Sequence, residues 1–358
     1  MPRVSVIVPA HNAAPFIERT IESVREQTYR DWEVVVVDDG SSDATWELLQ
    51  GLGQHVRSFR REQAGGPAVA RNLALEHATG EFAVFLDADD LLLPRYLESQ
   101  LGCYEAAGGE LGRGVEQGHG LEQGRGVRWD RGVEQGLGRG RGLGRGRGPV
   151  RGKGGVVGLV SCDARILLGE EYATYTHLQR IPDRYAPITL ERVLRRNPIY
   201  GACLVPRFVG EAVGWFDPEL FGTEDFGLWI KIIEAGYRAV LNEEVLAVYR
   251  RTAGTVSSNI ASQAKNNRRT YALALDRGHL NAKQRRIARR AIRYNRAMEE
   301  VALLRFAGSH GTGAWLRRLR SLPLLVWVAL GNPRMWSQWL ELLRSGRAKD
   351  AAELRAQP

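Results

Sequence analysis

A run of apolar residues that ends abruptly in carboxylates constrains this chain most. Phe82-Ala83-Val84-Phe85-Leu86 is followed at once by Asp87-Ala88-Asp89-Asp90. Five apolar residues in a row read as a strand buried on both faces, as in a parallel sheet. Ligands of open α/β sheets sit beyond the carboxyl ends of such strands. Asp87 and Asp89 flank one residue there. Two carboxylates so placed suit a hard divalent cation, and that cation suits phosphates. A solvated acidic turn capping the next helix is the plainer reading of the same residues.

The residues before this run alternate between strand and helix patterns. Val4–Val8 is a β-rich run broken by Pro9-Ala10-His11-Asn12. Phe16, Ile17, Thr20, Ile21 and Val24 recur at helical spacing, with Pro15 in a first turn. Trp32–Val37 predicts a second strand, followed by Asp38-Asp39-Gly40-Ser41-Ser42-Asp43. Ser42 predicts the N-cap of a helix carrying Trp46, Leu48 and Leu49. Val56–Arg60 predicts a third strand. Gly65-Gly66-Pro67 opens a helix that contains Arg71-Asn72 and ends at Gly80. Pro94 opens another helix, through Leu97, Leu101 and Tyr104. The alternation argues for a doubly wound α/β domain with parallel strands.

Further on, Val156–Val160 predicts a strand that leads into Cys162-Asp163-Ala164, and Tyr200–Val205 predicts another. Thr223 is a candidate N-cap for a helix whose first turn holds Glu224 and Asp225. Acids there complement a helix dipole whatever else they do. Ala239–Tyr249 predicts a last strand. Asn281 and Gln284 have the spacing of a capping box. Ile287, Ala291, Tyr294, Met298 and Val301 then form a helical stripe among arginines.

Composition separates one segment from the rest. Residues 108–155 hold 19 of the 41 glycines, with ten Lys/Arg against five Asp/Glu. So +5 of the chain's +9 net charge lies there. Gly-Val-Glu-Gln-Gly occurs at 114–118 and 132–136. Such a segment buries too little apolar surface to offset its chain entropy and predicts a disordered insertion. Arginine-rich repeats can bind RNA, but only Trp129 could stack on a base there, and an expanded repeat without a role fits as well. The three cysteines are scattered and form no Cys-x-x-Cys pair, which suits a reducing compartment and suggests no zinc site. The N-terminus reads as a strand without a signal peptide. No apolar run reaches the roughly 18 residues of a spanning helix. Leu322–Leu330 is about half that, and follows Arg317, Arg318 and Arg320; it could dock at a bilayer surface or pack on protein.

Five motifs stand in order: Val4–Asn12, Val36–Asp43, Ala70-Arg71-Asn72, Leu86–Asp90 and Thr223-Glu224-Asp225. With them the chain resembles glycosyltransferase family 2, the inverting enzymes that use nucleotide-sugar donors. The resemblance covers about residues 3–100 and 156–252. It implies a GT-A-type fold, a Rossmann-like, mostly parallel sheet flanked by helices, here with a helical C-terminal extension. It divides the chain into a nucleotide-sugar-binding half (1–107), the insertion (108–155), an acceptor-binding half (156–260) and the extension (261–358).

The site roles follow from the resemblance in the same way. Pro9, Ala10, His11, Asn12 and Asp39 would line the base and ribose pocket, with Asp39 accepting a hydrogen bond from the nucleobase or sugar. Arg71 would approach the nucleotide, or else pair with Asp38 or Asp87. Asp87 would face ribose or metal, and Asp89 would coordinate Mg²⁺ or Mn²⁺ as Lewis acid for the diphosphate. Asp225 would be the catalytic base, with Glu224 bonding backbone or acceptor. His11 stands where family members often have Tyr. Thr252 stands where some have a His ligand, though Arg250 or Arg251 could contact the diphosphate. The Gln-x-x-Arg-Trp motif of processive synthases is absent, which favours transfer of single sugars.

The expected function is therefore transfer of a sugar, from a UDP-sugar in the first instance, to a hydroxyl acceptor. The acceptor would be a glycan or a lipid-linked glycan of cell-surface polysaccharide, lipopolysaccharide or glycolipid synthesis. The expected location is cytoplasmic, with peripheral contact at the inner face of the plasma membrane left open. A nucleotidyltransferase would favour a Gly-rich, Lys-bearing phosphate loop before residue 60, where there is none. A dehydrogenase would need Gly-x-Gly-x-x-Gly where Pro9–Asn12 stands. An RNA-binding protein resting on the Gly/Arg segment leaves all five motifs unexplained, so nucleic acid is disfavoured as a partner.

Overall fold

The computed structural model describes residues 2–53, 56–110, 155–251 and 260–306, except the side chains of 260 and 301–306. Most of the Gly/Arg segment, Thr252 and the Leu322–Leu330 run lie outside the described residues, so the readings made on them are not addressed.

The first half alternates as its hydrophobic pattern requires. The elements are β1 (Val4–Ala10), α1 (Ile17–Arg25), β2 (Trp32–Asp39), α2 (Thr45–Gln50), β3 (Val56–Arg61), α3 (Pro67–His77), β4 (Phe82–Phe85), β5 (Leu91–Leu92) and α4 (Tyr96–Ala106). β1 runs parallel to β2 on one side and β4 on the other, with Val6 level with both Val34 and Val84. Both faces of these strands are covered, so alternate residues enter different cores. Val4, Val6 and Val8 pack with Ile17, Ile21 and Val24 of α1, whereas Ile7 packs with Ala70 and Ala74 of α3.

The second half contains β6 (Val157–Leu168), β7 (Glu171–Thr176), α5 (Leu190–Arg195), β8 (Leu204–Pro206), α6 (Arg207–Val213), α7 (Glu224–Glu234), β9 (Arg238–Arg251), α8 (Ile260–Asp276) and α9 (Ala282–Phe306). Among the described residues one sheet runs β3-β2-β1-β4-β8-β6-β9-β5, with β7 added to β6. Its first half is parallel. β8 is antiparallel to β4 and β6, β5 to β9 and β7 to β6, while β6 and β9 are parallel. The sheet is thus mixed beyond β4. α9 packs against α8 and α5, and Tyr271 of α8 donates to the Leu194 carbonyl at 3.0 Å. No described helix is long and apolar enough to cross a membrane.

Several local expectations change. Ser42 is not an N-cap. The α2 start is held by Asp43, whose carboxylate accepts from Thr45 N at 3.0 Å and Ala14 N at 3.1 Å. Ser42 instead donates its N–H to Asn12 Oδ1 at 2.9 Å. Pro15 and Pro94 stand just outside their helices rather than in the first turns. Gly80 lies beyond the α3 C-cap, Ala78. Its reason is close approach: a Cβ there would meet Ser5 N at 2.6 Å and Val4 C at 2.9 Å. Cys162-Asp163-Ala164 lies inside β6, which runs to Leu168. Only Leu204–Pro206 of the Tyr200 region is strand. Tyr200 to Cys203 leave the ladder because Tyr200 turns to other partners. The Asn281–Gln284 capping box is present in both directions, each bond 2.9 Å.

Candidate active site

The carboxyl ends of β1, β2 and β4 open onto one cleft of about 1920 Å³, closed on the far side by α5, the N-terminus of α7 and α9. Pro9, Ala10, His11, Asn12, Asp39, Arg71, Asp87, Asp89, Glu224 and Asp225 all line it. The fold thus brings these ten candidate site residues to one cleft.

The base-pocket side is built from the β1 turn. Asn12 has φ 50°, a left-handed conformation that Asn tolerates better than most residues. Its N–H donates to Ser41 Oγ at 2.8 Å. His11 Nδ1 donates to the Asp39 carbonyl at 2.8 Å, so this turn and the β2 end are tied together. The Asp39 carboxylate is buried. It accepts from Gly65 N at 3.0 Å and Gly66 N at 2.7 Å, and pairs with Arg61. Asp39 here orders the loop that opens α3.

Arg71 settles the choice left open between its candidate partners. It is buried and pairs with both Asp87 and Glu224, while Asp38 goes to Arg60 at 3.3 Å. Its guanidinium also stacks 5.3 Å from the Phe216 ring centroid. Two opposing carboxylates hold its pKa above the usual arginine value despite burial. Its neighbour Asn72 closes a reciprocal pair with Phe216, Nδ2 to O at 2.9 Å and N to Oδ1 at 3.1 Å. Consecutive residues of α3 therefore clamp the Phe216 turn and the first turn of α7.

Three carboxylates follow β4, and they divide by burial. Asp87 is about half-exposed and faces Arg71. Asp89 is pushed up to about 6 by burial and then by the Asp87 charge. Asp90 is buried and pushed well above the usual carboxylate range by burial and by both neighbours. It accepts from Tyr200 Oη at 2.7 Å and Arg250 N at 2.8 Å. Asp90 thus joins the β4–β5 turn to the second half. Arg250 Nε donates to the Asp89 carbonyl at 3.0 Å, and its guanidinium lies 5.0 Å from the Phe16 ring centroid.

These residues fit a divalent cation. Asp87 and Asp89 offer hard oxygens on the cleft wall, and their mutual repulsion is what a cation relieves. Among the described residues no group of three or more His, Cys, Asp or Glu forms a metal cage. A cation here would therefore need phosphate and water ligands as well, the usual way Mg²⁺ is held.

Asp225 and Glu224 separate as adjacent helical residues must. Thr223 occupies the N-cap position of α7, but its side chain makes no capping bond and pairs with Thr270 Oγ1 at 2.9 Å. The Asp225 carboxylate is raised to about 7, by burial first and the Glu224 charge second; the Phe226 N–H at 2.6 Å opposes this. Glu224 is buried against Arg71 rather than bonded to backbone, and its Oε2 has no partner among the described residues. So the cleft holds a carboxylate able to take a proton near neutral pH beside one paired with Arg71. Sequence reasoning missed Asn72, Tyr200 and Asp90's partners. The Arg71-Asn72 dipeptide was a visible signal, but Tyr200 lies 110 residues from Asp90 and carried none.

Residues 5–115 match the sequence profile Glycosyl transferase family 2. A putative teichuronic acid biosynthesis glycosyltransferase of Bacillus subtilis is 44% identical over 103 residues, 28% of this chain and 41% of that protein. The UDP-Glc:alpha-D-GlcNAc-diphosphoundecaprenol beta-1,3-glucosyltransferase of Escherichia coli is 43% identical over 99 residues, 27% of this chain and 39% of that protein. The chain thus spans about two fifths of the length of these curated relatives. Among solved structures, S. aureus TarS 1-349 in complex with UDP-GlcNAc matches with TM-score 0.54 and 16% identity, over 90% of this chain and 80% of that one. The mannosyltransferase of Pyrobaculum calidifontis in complex with GDP-Man and Mn²⁺ matches with TM-score 0.53 and 23% identity, over 98% and 87%. These structural likenesses establish the GT-A fold.

Proposed function

We propose that this chain, whose residues 5–115 match the glycosyltransferase family 2 profile, is an inverting transferase of that family that moves a sugar from a UDP-sugar to an acceptor hydroxyl. The observation that carries this is the placing of Asp225 in one cleft with Asp87 and Asp89, its carboxyl raised to about 7. A general base works best with a pKa near the operating pH. Relatives named for teichuronic acid and lipid-linked glucosyl transfer suggest an envelope glycan or lipid-linked glycan as acceptor.

In this reading residues of the 1–107 half hold the donor and those of the 156–260 half hold the acceptor. His11 and Asn12 shape the base pocket, and Asp39 keeps the Gly65-Gly66 loop in place beside it. Asp225 takes the proton of the acceptor hydroxyl as that oxygen attacks the anomeric carbon. The bond from that carbon to the diphosphate oxygen breaks in the same displacement, which inverts the anomeric configuration. A Mg²⁺ or Mn²⁺ on Asp87 and Asp89 would supply Lewis-acid stabilisation of the departing diphosphate. Arg250, seated beside Asp89, adds a fixed cation near that leaving group. Arg71 holds Asp87 and Glu224 in place.

The test is nucleoside diphosphate release from a panel of nucleotide sugars with Mn²⁺ present, and the anomeric configuration of the product. Release from a UDP-sugar with an inverted product is expected. No release from any donor, or a retained configuration, overturns the reading.

A further inference from the structure

α9 presents different residues to different surroundings. Ile287, Arg290, Ala291, Tyr294 and Asn295 line the active-site cleft, and Ala288 and Ile292 pack on the core. The adjoining side of the helix is basic. Arg285, Arg286, Arg289 and Arg293 are exposed and, with Ala282, line a second hollow of about 370 Å³.

An ordinary solvated helix face does not account for this arrangement. Residues 282–298 hold seven Lys/Arg and no Asp or Glu. Lys283, Arg285 and Arg286 stand at the start of a 25-residue helix, the positive end of its dipole, where cations are disfavoured. The carboxylates around α8 and α9 are taken by Arg268, Arg269, Arg277 and Lys283. Among the described residues none pairs with Arg285, Arg286 or Arg289; Arg285 donates to the Leu280 carbonyl. Like charges gathered on one hollow repel one another, and facing anions relieve that repulsion.

The face extends about 12 Å along the axis from Arg285 to Arg293, at 1.5 Å per residue. It carries no aromatic side chain on which a nucleic-acid base could stack. The apolar stripe of α9 is already packed on the protein, so contact with a bilayer would be electrostatic rather than by insertion. A row of cations complements the anionic headgroups of such a surface. Arg286, Arg289 and Arg293 each precede by one residue a side chain that lines the cleft, Ile287, Arg290 and Tyr294. Adjacent helical residues point about 100° apart, so the basic face adjoins the cleft wall.

We infer that Arg285, Arg286, Arg289 and Arg293 form an electrostatic docking surface for an anionic lipid bilayer, which sets the α9 wall of the cleft beside the membrane. The inference does not depend on the transferase reading.

The experiment is co-sedimentation of the full chain with phosphatidylcholine vesicles that contain or lack phosphatidylglycerol. Capture is expected with phosphatidylglycerol and not without it. It should be lost in about 1 M salt, where the Debye length is about 3 Å. Each basic residue near an anionic surface strengthens binding about fivefold. The double variant Arg286→Gln, Arg289→Gln should therefore bind roughly 25-fold more weakly, with unchanged Tm. Removing the same charge elsewhere, in Arg19→Gln, Arg95→Gln, should leave capture as in wild type. Equal capture by neutral vesicles, wild-type capture of the Arg286 and Arg289 variant, or equal weakening in the Arg19 and Arg95 variant overturns the docking surface. Release by inorganic phosphate at matched ionic strength also overturns it, since the hollow would then hold a free anion. So does a variant that loses single-stranded RNA binding but keeps vesicle capture. UDP titration of the same samples reports on the transferase reading separately.

Discussion

Arg71 and Glu224, 153 residues apart, form a buried ion pair that ties α3 to the first turn of the helix carrying Asp225. The other branch of the same guanidinium holds Asp87. One side chain thus sets the spacing between the carboxylates after β4 and the carboxylates opening α7.

Removing that cation should be costly. Arg71→Met leaves Glu224 buried without its partner, a change that typically destabilises by about 3–5 kcal/mol. The expected outcome is a clear fall in Tm, partly restored in the double variant Arg71→Met, Glu224→Gln, which neutralises the orphaned acid. A Tm equal to wild type for Arg71→Met alone would show that the pair does not hold the two halves together.

Asp89 should govern divalent-cation binding without supporting the fold. Burial and Asp87 raise its carboxyl to about 6, so in the folded state its ionised form is disfavoured relative to the unfolded chain. That cost is present above pH 6 and absent below the ordinary carboxylate range. Asp89→Asn should therefore be at least as stable as wild type at pH 7.5, while losing Mn²⁺-dependent UDP binding. In the wild type that binding should weaken as pH falls through about 6, because protons compete for the ligand. Titrations of UDP at several pH values, with and without chelator, check both. Binding indifferent to the substitution and to chelator would remove Asp89 from the cation site.

Gly80 offers a test of the sheet. Its N–H donates to Ser5 Oγ at 2.8 Å, and an added Cβ would meet the backbone of β1 below 3.0 Å. Gly80→Ala should destabilise by roughly 1–3 kcal/mol, as overpacking does. Thermal unfolding measures this; an unchanged Tm would mean that the Phe82 strand shifts freely against β1.

The parallel half was legible because each of its elements carries its own period. Ile17, Ile21 and Val24 mark one helical face, and the valines of β1 and β2 mark strands buried on both sides. Local chemistry was legible too: Asn281 and Gln284 bond each other as their spacing predicts. What eluded the sequence depends on partners far along the chain. Tyr200 leaves a strand pattern because its hydroxyl bonds Asp90, and its backbone N–H bonds Ser161 Oγ at 3.1 Å. Gly80 read as a helix stop because the sequence does not reveal how closely β1 passes. The motifs point to the candidate site residues, but the Arg71 to Glu224 pair and the loop donors to Asp39 appear only when the cleft is assembled.

The central claim is that Asp225 is the base of a UDP-sugar transferase. UDP release with water in place of the acceptor needs no knowledge of that acceptor. With a UDP-sugar and Mn²⁺, wild-type release should rise with pH through about 7, as the raised Asp225 carboxyl ionises. Asp225→Asn should cut release roughly a hundredfold, within the usual range for a lost general base, and flatten that rise, with UDP affinity unchanged. Glu224→Gln should do less. Near-normal release from Asp225→Asn, above all with Glu224→Gln inactive, would contradict the account.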